Sequence, residues 1–412
     1  MITHTSWHYP FPARIGREKD PRLAQLREQG TMSKVVLPYG GEAWLAVRHS
    51  DAKVVMTDRR FSRAAALDPE RPRPLPEQPT ARSTVDLDPP DHTELRRLMA
   101  PVFSREAVEA LRPQVRELVE KLVVDLRTTG GVTDFVQTFA LPLPVAVIGD
   151  FLGVPEAEKA EFSELVTALM GLPGPVCESW DCELAERLEK YLTRLISLRR
   201  RDPGHDLISR LVSANDEGGG IWRDDCELIT QCIFVLGAGY LTVSGQLASH
   251  LFLLLSDRRL WDAVTSGAVE VDSAVEELLR ATSFNNGTGF PRVALEDVSV
   301  GGVTVRAGET VFIAINSANH DSEVFDQPEG MDLSRSPNPH VAFGLGIHHC
   351  AGAGLARMEL QEALRALREV PDLRLAVPAE DVPWRGSAVH APKALPVFIR
   401  MPSELPVTIS AG

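Results

Sequence analysis

The sequence predicts an α-rich fold with a minor β portion, built as one unit of 412 residues. Three observations carry that expectation. Apolar residues recur at i, i+3, i+4 and i+7 from His92 to about Arg200, over about 223–282, and from Ala351 to about Arg368, which is the period of amphipathic helices. Period-two alternation is confined to about 33–62, 297–316 and 372–400. No Ser/Gly/Pro-rich linker and no fixed-period repeat divides the chain, and 44% hydrophobic against 24% charged residues suffices for a large core.

The elements follow in order. Ser33 to Arg48 (SKVVLPYGGEAWLAVR) reads as a β-hairpin about Tyr-Gly-Gly. His49–Thr57 reads as a short helix that ends before DRRFS. Residues 64–86, rich in proline, alanine and arginine without a period, read as a long loop of the kind that is functional in compact proteins. Within the first helical block Pro155-Glu156 marks a helix start, since proline suits a first turn, and GLPGP at 171–175 interrupts the run. Residues 297–316 (DVSVGGVTVRAGETVFIAIN) alternate about Gly-Gly and Ala-Gly turns and predict a small antiparallel sheet. Helix resumes at Ala351, and the tail from 372 reads as short strands and turns.

The net charge of -14 and pI near 5.3 exclude a broad nucleic-acid footprint, which needs basic patches. The N-terminal MITHTSWHYPFPARIG lacks a basic segment followed by an apolar run, so neither a signal peptide nor a membrane anchor is expected. The apolar run Leu251–Leu255 is too short to span a bilayer. Five cysteines, at 177, 182, 226, 232 and 350, form no CxxC pair and suit a reducing compartment. A soluble, cytoplasmic protein is the expectation.

The chemistry concentrates in FGLGIHHCAG, residues 343–352. A zinc site needs four ligands, usually in two close pairs, and no second pair is spaced to match Cys350. The CxxCH attachment of c-type haem is absent. A small buried cysteine and a haem ligand remain. Gly344 and Gly346 permit sharp turns and close approach to a flat ligand. Cys350 stands just before a helix, whose amides and dipole stabilise a thiolate, and a thiolate on haem iron favours O–O cleavage.

The loop resembles the haem-binding segment FGxGxHxCxG of cytochrome P450 at every defined position. The resemblance implies that Cys350 ligates the iron of haem b, that Phe343 shields the sulfur and that His348 meets a haem propionate. Three further segments share it. Glu277-Leu-Leu-Arg280 matches the ExxR helix, which pairs with an arginine of the later meander, here Arg335, to brace the haem loop. In DPPDHTELRRLMAPVFS, His92 and Arg96 lie on one helical face and match propionate partners, as does Arg292 in GFPRVALEDV. In FVLGAGYLTVSG, Ala238, Gly239 and Thr242 match A/G-G-x-D/E-T of the distal helix, with a kink and a catalytic role implied. Leu241 replaces the usual acid, so proton delivery needs Thr242, ordered water or the substrate.

The resemblance implies oxidation of a small molecule with dioxygen and two electrons from a ferredoxin and its reductase; Arg357 and Arg96 or Arg97 offer positive charge for docking. Pocket residues are expected from the 64–86 loop, the 165–182 segment, the distal helix with Tyr240 and Leu241, the stretch after Arg280 and the turn near 386–389 with Ser387. After Arg280 come Phe284, Asn285, Asn286 and Phe290; the two asparagine amides suit an amide-bearing substrate, or cap a turn before Gly287. GEAWL with DRRFS, the EELLR block and VPWR at 382–385 are similar to actinobacterial members that oxidise cyclic dipeptides, among them a mycobacterial cyclodityrosine-coupling enzyme. The expected reaction is therefore oxidation of a cyclic dipeptide (diketopiperazine) in secondary metabolism, with radical C–C or C–N coupling favoured over hydroxylation. The alternatives are a macrolide or terpene hydroxylase and a non-enzymatic haem-thiolate sensor, against which Thr242 and the complete distal helix stand.

Overall fold

The computed structural model describes residues 7–12, 20–76, 83–170, 182–214, 224–282, 289–385 and 389–400. The expected GLPGP break and Phe284, Asn285, Asn286 and Ser387 lie outside them.

The chain opens with β1 (Trp7–His8), α1 (Pro21–Glu28) and the hairpin β2 (Ser33–Val36) and β3 (Glu42–Ala46), followed by α2 (His49–Thr57) and β4 (Phe61–Ser62). The hairpin turns at Tyr-Gly-Gly, where the Leu37 N–H donates to the Gly41 carbonyl at 2.9 Å. The helical body comprises α3 (Asp91–Met99), α4 (Arg105–Thr129), α5 (Pro142–Leu152), α6 (Lys159–Met170), α7 (Cys182–Arg201), α8 (Leu207–Ala214), α9 (Asp225–Ser256), α10 (Arg258–Thr265) and α11 (Val271–Ala281). It is interrupted by β5 (Gly131–Asp134), a strand that helical periodicity over 92–200 conceals. Gly130 and Gly131 turn the backbone with φ of 55° and 65°, freeing four residues to pair elsewhere.

The remaining elements are β6 (Arg292–Ala294), β7 (Val298–Val300), β8 (Val303–Val305), β9 (Thr310–Ile313), α12 (Ile315–Ala318), α13 (Ala353–Leu367), β10 (Arg374–Leu375) and β11 (Pro396–Ile399). Residues 297–316 do not form one sheet. β7 and β8 pair only with each other, while β9 leaves to run parallel to β3 and antiparallel to β6. All four residues of β9 are buried, which favours the interior of the six-stranded sheet β1-β2-β3-β9-β6-β4 over an exposed hairpin. β5 joins β11 and β10 in a third, antiparallel sheet.

α9 is the axis of the helical body. Asp224 caps it, accepting from the Glu227 N–H at 3.1 Å, and α5, α7, α10, α11 and α13 pack around it. By length and composition this 32-residue helix could cross a bilayer, which the reading of Leu251–Leu255 alone does not anticipate. Here residues from Leu228 to Leu254 supply much of the core instead. Its buried run opens in the middle: Ala238 is exposed, and Ile233, Phe234, Gly237, Gly239, Leu241 and Thr242 are partly so.

Candidate active site

Gly344 and Gly346 adopt φ of 67° and 72° and lay the Phe343–Cys350 loop against α2. A Cβ at Gly346 would stand 2.5 Å from the Met56 carbonyl oxygen, so the loop closes only with glycine there. The Cys350 N–H donates to the Phe343 carbonyl at 2.9 Å, and α13 starts three residues on. Cys350 has open surface, yet burial pushes its thiol up, against the Gly352 N–H and the charges of Arg96 and Arg357. A sulfur that is both deep and open lines the wall of an internal cleft. Among the described residues no group of three or more His, Cys, Asp or Glu converges on a metal.

Beside the loop lies a crowd of donors without acceptors. The His92 and His348 rings are 4.5 Å apart. Nε2 of His92, Nδ1 of His348 and Nε of Arg63 are buried without hydrogen-bond partners. Burial, then Arg292 and His92, hold His348 down to about 3; burial, then Arg63, bring Arg292 to about 10. His92 is lowered by burial and then by Arg96. Nearby Asp88 is engaged by Ser62 Oγ and the Arg63 N–H, and Asp86 by Arg63 at 3.2 Å. Mutually repelling buried cations and orphaned imidazoles fit the two carboxylates of haem b, which His92, His348, Arg292 and Arg63 would hold. Arg63 was not foreseen; antiparallel pairing of β4 with β6 brings it to Arg292.

Arg96, expected in that role, donates from Nη2 to the His349 carbonyl at 2.8 Å and lies close enough to Cys350 for the two charges to act on each other. Arg357 is not free to dock a partner: it pairs with Glu276 at 2.7 and 3.0 Å and lies 4.4 Å from the Phe343 ring centre. Burial works to raise the Glu276 carboxyl, but hydrogen bonds from His340 and Arg357 overcome it and hold it at about 2.

Behind the loop Glu277, Arg280 and Arg335 are brought together. Glu277 and Arg280 are fully buried and pair at 2.7 Å; Arg335 Nε reaches Glu277 at 3.0 Å. Asn338 and the Asp332 N–H complete the acceptor sites of Glu277, linking α11 to the segment that precedes Phe343.

On α9 the Thr242 hydroxyl donates to the Ala238 carbonyl at 2.5 Å, beside the opening. α9 is one continuous helix through Gly239. A Cβ there would meet Ile148 of α5 at 3.0 Å, so this glycine lets α9 pack closely on α5 while remaining partly open. Tyr240, expected in the pocket, is 0% exposed and belongs to the core. Phe290 is 54% exposed, with the Arg63 guanidinium 5.3 Å from its ring centre, beside the carboxylate holders.

Comparison with known proteins agrees with this arrangement. The cytochrome P450 family model matches residues 270–368, from the ExxR helix through α13. Nocardicin C N-oxygenase of Nocardia uniformis subsp. tsuyamanensis is 43% identical over 94% of this chain and 98% of that protein. Mycinamicin IV hydroxylase/epoxidase of Micromonospora griseorubida is 39% identical over 94% and 98%. The crystal structure of HinD with NMFT and NO superposes with a TM-score of 0.85 at 42% identity, covering 96% of this chain and 100% of that one. A cysteine sulfur with open surface, buried donors that match two carboxylates, a braced loop and relatives up to 43% identical over 94% of the chain lead to one conclusion: the chain belongs to the cytochrome P450 family and is a haem b monooxygenase.

Proposed function

We propose that this monooxygenase oxidises a cyclic dipeptide, or a closely related amino-acid-derived amide, in natural-product metabolism, with radical C–C or C–N coupling as the reaction. Haem b, when bound to Cys350, supplies activation of dioxygen, which thiolate donation favours. The observation that carries the reading is the α9 opening. Ala238 and Thr242 present a short polar notch, and Leu241 stands beside it where the family carries an acid. Leu241 packs against the core and offers no proton. Coupling removes two hydrogens from the substrate and, with two electrons and two further protons, converts dioxygen to two waters; without an acid at 241 those two protons need a path through Thr242 and ordered water. The similarities at GEAWL, DRRFS and VPWR support the substrate class.

Bacterial members of the family take small-molecule substrates, dioxygen, and electrons from a ferredoxin and its reductase. A ferredoxin on the cysteine side and a cytoplasmic setting belong to the proposal. The positive charge left for docking is Arg97, since Arg96 and Arg357 are engaged within the loop.

A second reading, single-oxygen insertion into a nitrogen or carbon centre, is favoured by the N-oxygenase and hydroxylase/epoxidase named above. One experiment separates the two. A panel of cyclic dipeptides and macrolactones is screened for a shift in the ferric haem spectrum, and binders are turned over with a surrogate ferredoxin system. Products two hydrogens lighter than substrate support coupling; products one oxygen heavier support insertion. Binding of macrolactones alone overturns the substrate class.

A further inference from the structure

Two consecutive carboxylates on α11 face different ways. Glu277 turns into the interior and meets Arg280 and Arg335. Glu276, one residue earlier and so about 100° around the helix, turns toward α13 and the cysteine loop. Its oxygens accept from Nε of Arg357 at 2.7 Å and Nη2 at 3.0 Å, a two-point grip that fixes the plane of the guanidinium. His340 supplies a further contact. The Ala342 N–H donates to Nδ1 of that ring at 3.2 Å, so Nδ1 carries the lone pair. Nε2 therefore carries the hydrogen and donates it to Glu276 at 3.0 Å. The neutral imidazole, its side chain 2% exposed, is a prop that keeps the carboxylate turned to Arg357.

The guanidinium held in this way lies 4.4 Å from the centre of the Phe343 ring. The Phe343 carbonyl in turn accepts the Cys350 N–H at 2.9 Å, and the charge of Arg357 acts on the sulfur. Imidazole, carboxylate, guanidinium and aromatic ring thus form one chain that ends at the ligand loop. Bracing does not call for it, because the Glu277 network already ties α11 to the segment that leads into the loop. What the chain adds is an oriented ion pair whose positive half meets the ring.

Reduction by a ferredoxin brings one electron, and hence one negative charge, to the iron and its sulfur ligand. A fixed cation beside the loop favours that added charge and a fixed carboxylate opposes it. We propose that Arg357 and Glu276 are positioning residues that set the reduction potential of the haem in opposite directions, the guanidinium raising it and the carboxylate lowering it, with His340 and Phe343 fixing the pair in place.

The test is a spectroelectrochemical titration of the haem-loaded full chain at one fixed pH without substrate. Each variant is first checked for the carbon monoxide absorption typical of thiolate-bound ferrous haem, so that only intact ligation is compared. Arg357→Gln lowers the potential and Glu276→Gln raises it, each by about tenfold in the ferric–ferrous equilibrium, or about 59 mV for one electron. Replacing both brings the potential back toward wild type, since the two charges leave together. Arg258→Gln, which removes the same charge from an exposed pair on α10, leaves the potential unmoved. Arg357→Met keeps apolar contact with the Phe343 ring and loses the charge, so it reads the same fall where the glutamine variant holds no haem. Shifts of one sign in the Arg357 and Glu276 variants mark a loosened loop and overturn the assignment. So does a potential that neither substitution moves, or an equal shift from Arg258→Gln.

Discussion

Neutralising Glu277 probes how the cysteine loop is held. This carboxylate accepts from Arg280 at 2.7 and 2.8 Å, Arg335 at 3.0 Å, Asn338 at 3.1 Å and the Asp332 N–H at 3.0 Å. Arg280 directs its other donors to the carbonyls of Asn319 and Pro328 at 2.9 Å and Gly330 at 3.0 Å. Both side chains are 0% exposed. Glu277→Gln turns an NH2 group against guanidinium donors and leaves the Arg280 charge uncompensated in the interior. Removing one partner of a buried pair in this way costs about 3–5 kcal/mol. The control is Arg258–Asp262, equally close at 2.8 Å but with both side chains more than half exposed. Water and salt screen that pair, so Asp262→Asn costs about 0–1 kcal/mol. Urea unfolding followed by circular dichroism, with midpoints converted through the denaturant slope, measures both variants. Haem retention after gel filtration should fall with stability in Glu277→Gln, because residues 332–338 lead directly into the cysteine loop. A Glu277→Gln midpoint as close to wild type as that of Asp262→Asn would refute the reasoning.

Further outcomes follow from single groups. Cys350→Ser should abolish the absorption typical of thiolate-bound ferrous haem with carbon monoxide, read directly in the spectrum. His250 is buried and held down to about 3, mainly by burial, against 6.5 when unfolded. Its contribution is intact above pH 6.5 and is lost on acidification as the unfolded chain takes up the proton first, about 2 kcal/mol by pH 5. His250→Leu should flatten that part of the pH–stability curve. Glu359 runs the other way: burial alone raises it to about 8 from 4.5, so its penalty grows as pH rises from 4.5 to 8. Glu359→Gln should therefore stabilise at pH 8 and change little at pH 4, by urea midpoint. Leu241→Asp should raise the share of consumed dioxygen that ends in product; unchanged turnover and coupling efficiency would show that the missing acid is irrelevant.

Part of this site is legible because it is local. The spacing of Phe343, Gly344, Gly346, His348 and Cys350 is dictated by one backbone turn over α2, and Glu277 and Arg280 share a helical face by period alone. Arg63 carries no such spacing. Arg63 reaches Arg292 only because β4 pairs with β6 across more than two hundred residues. β5 stays hidden for the same reason, its partner β11 lying near the far end of the chain. The placement of Gly239 and Tyr240 is different, for there the information was present in the sequence. At about 100° per residue, Ala238, Leu241 and Thr242 share an arc of about 100° on α9 that Gly239 borders, whereas Tyr240 turns away from it. Motif matching treats the five residues as one unit; helical phase divides them, and burial follows the phase, with Ala238 exposed, Leu241 and Thr242 half open, and Tyr240 enclosed.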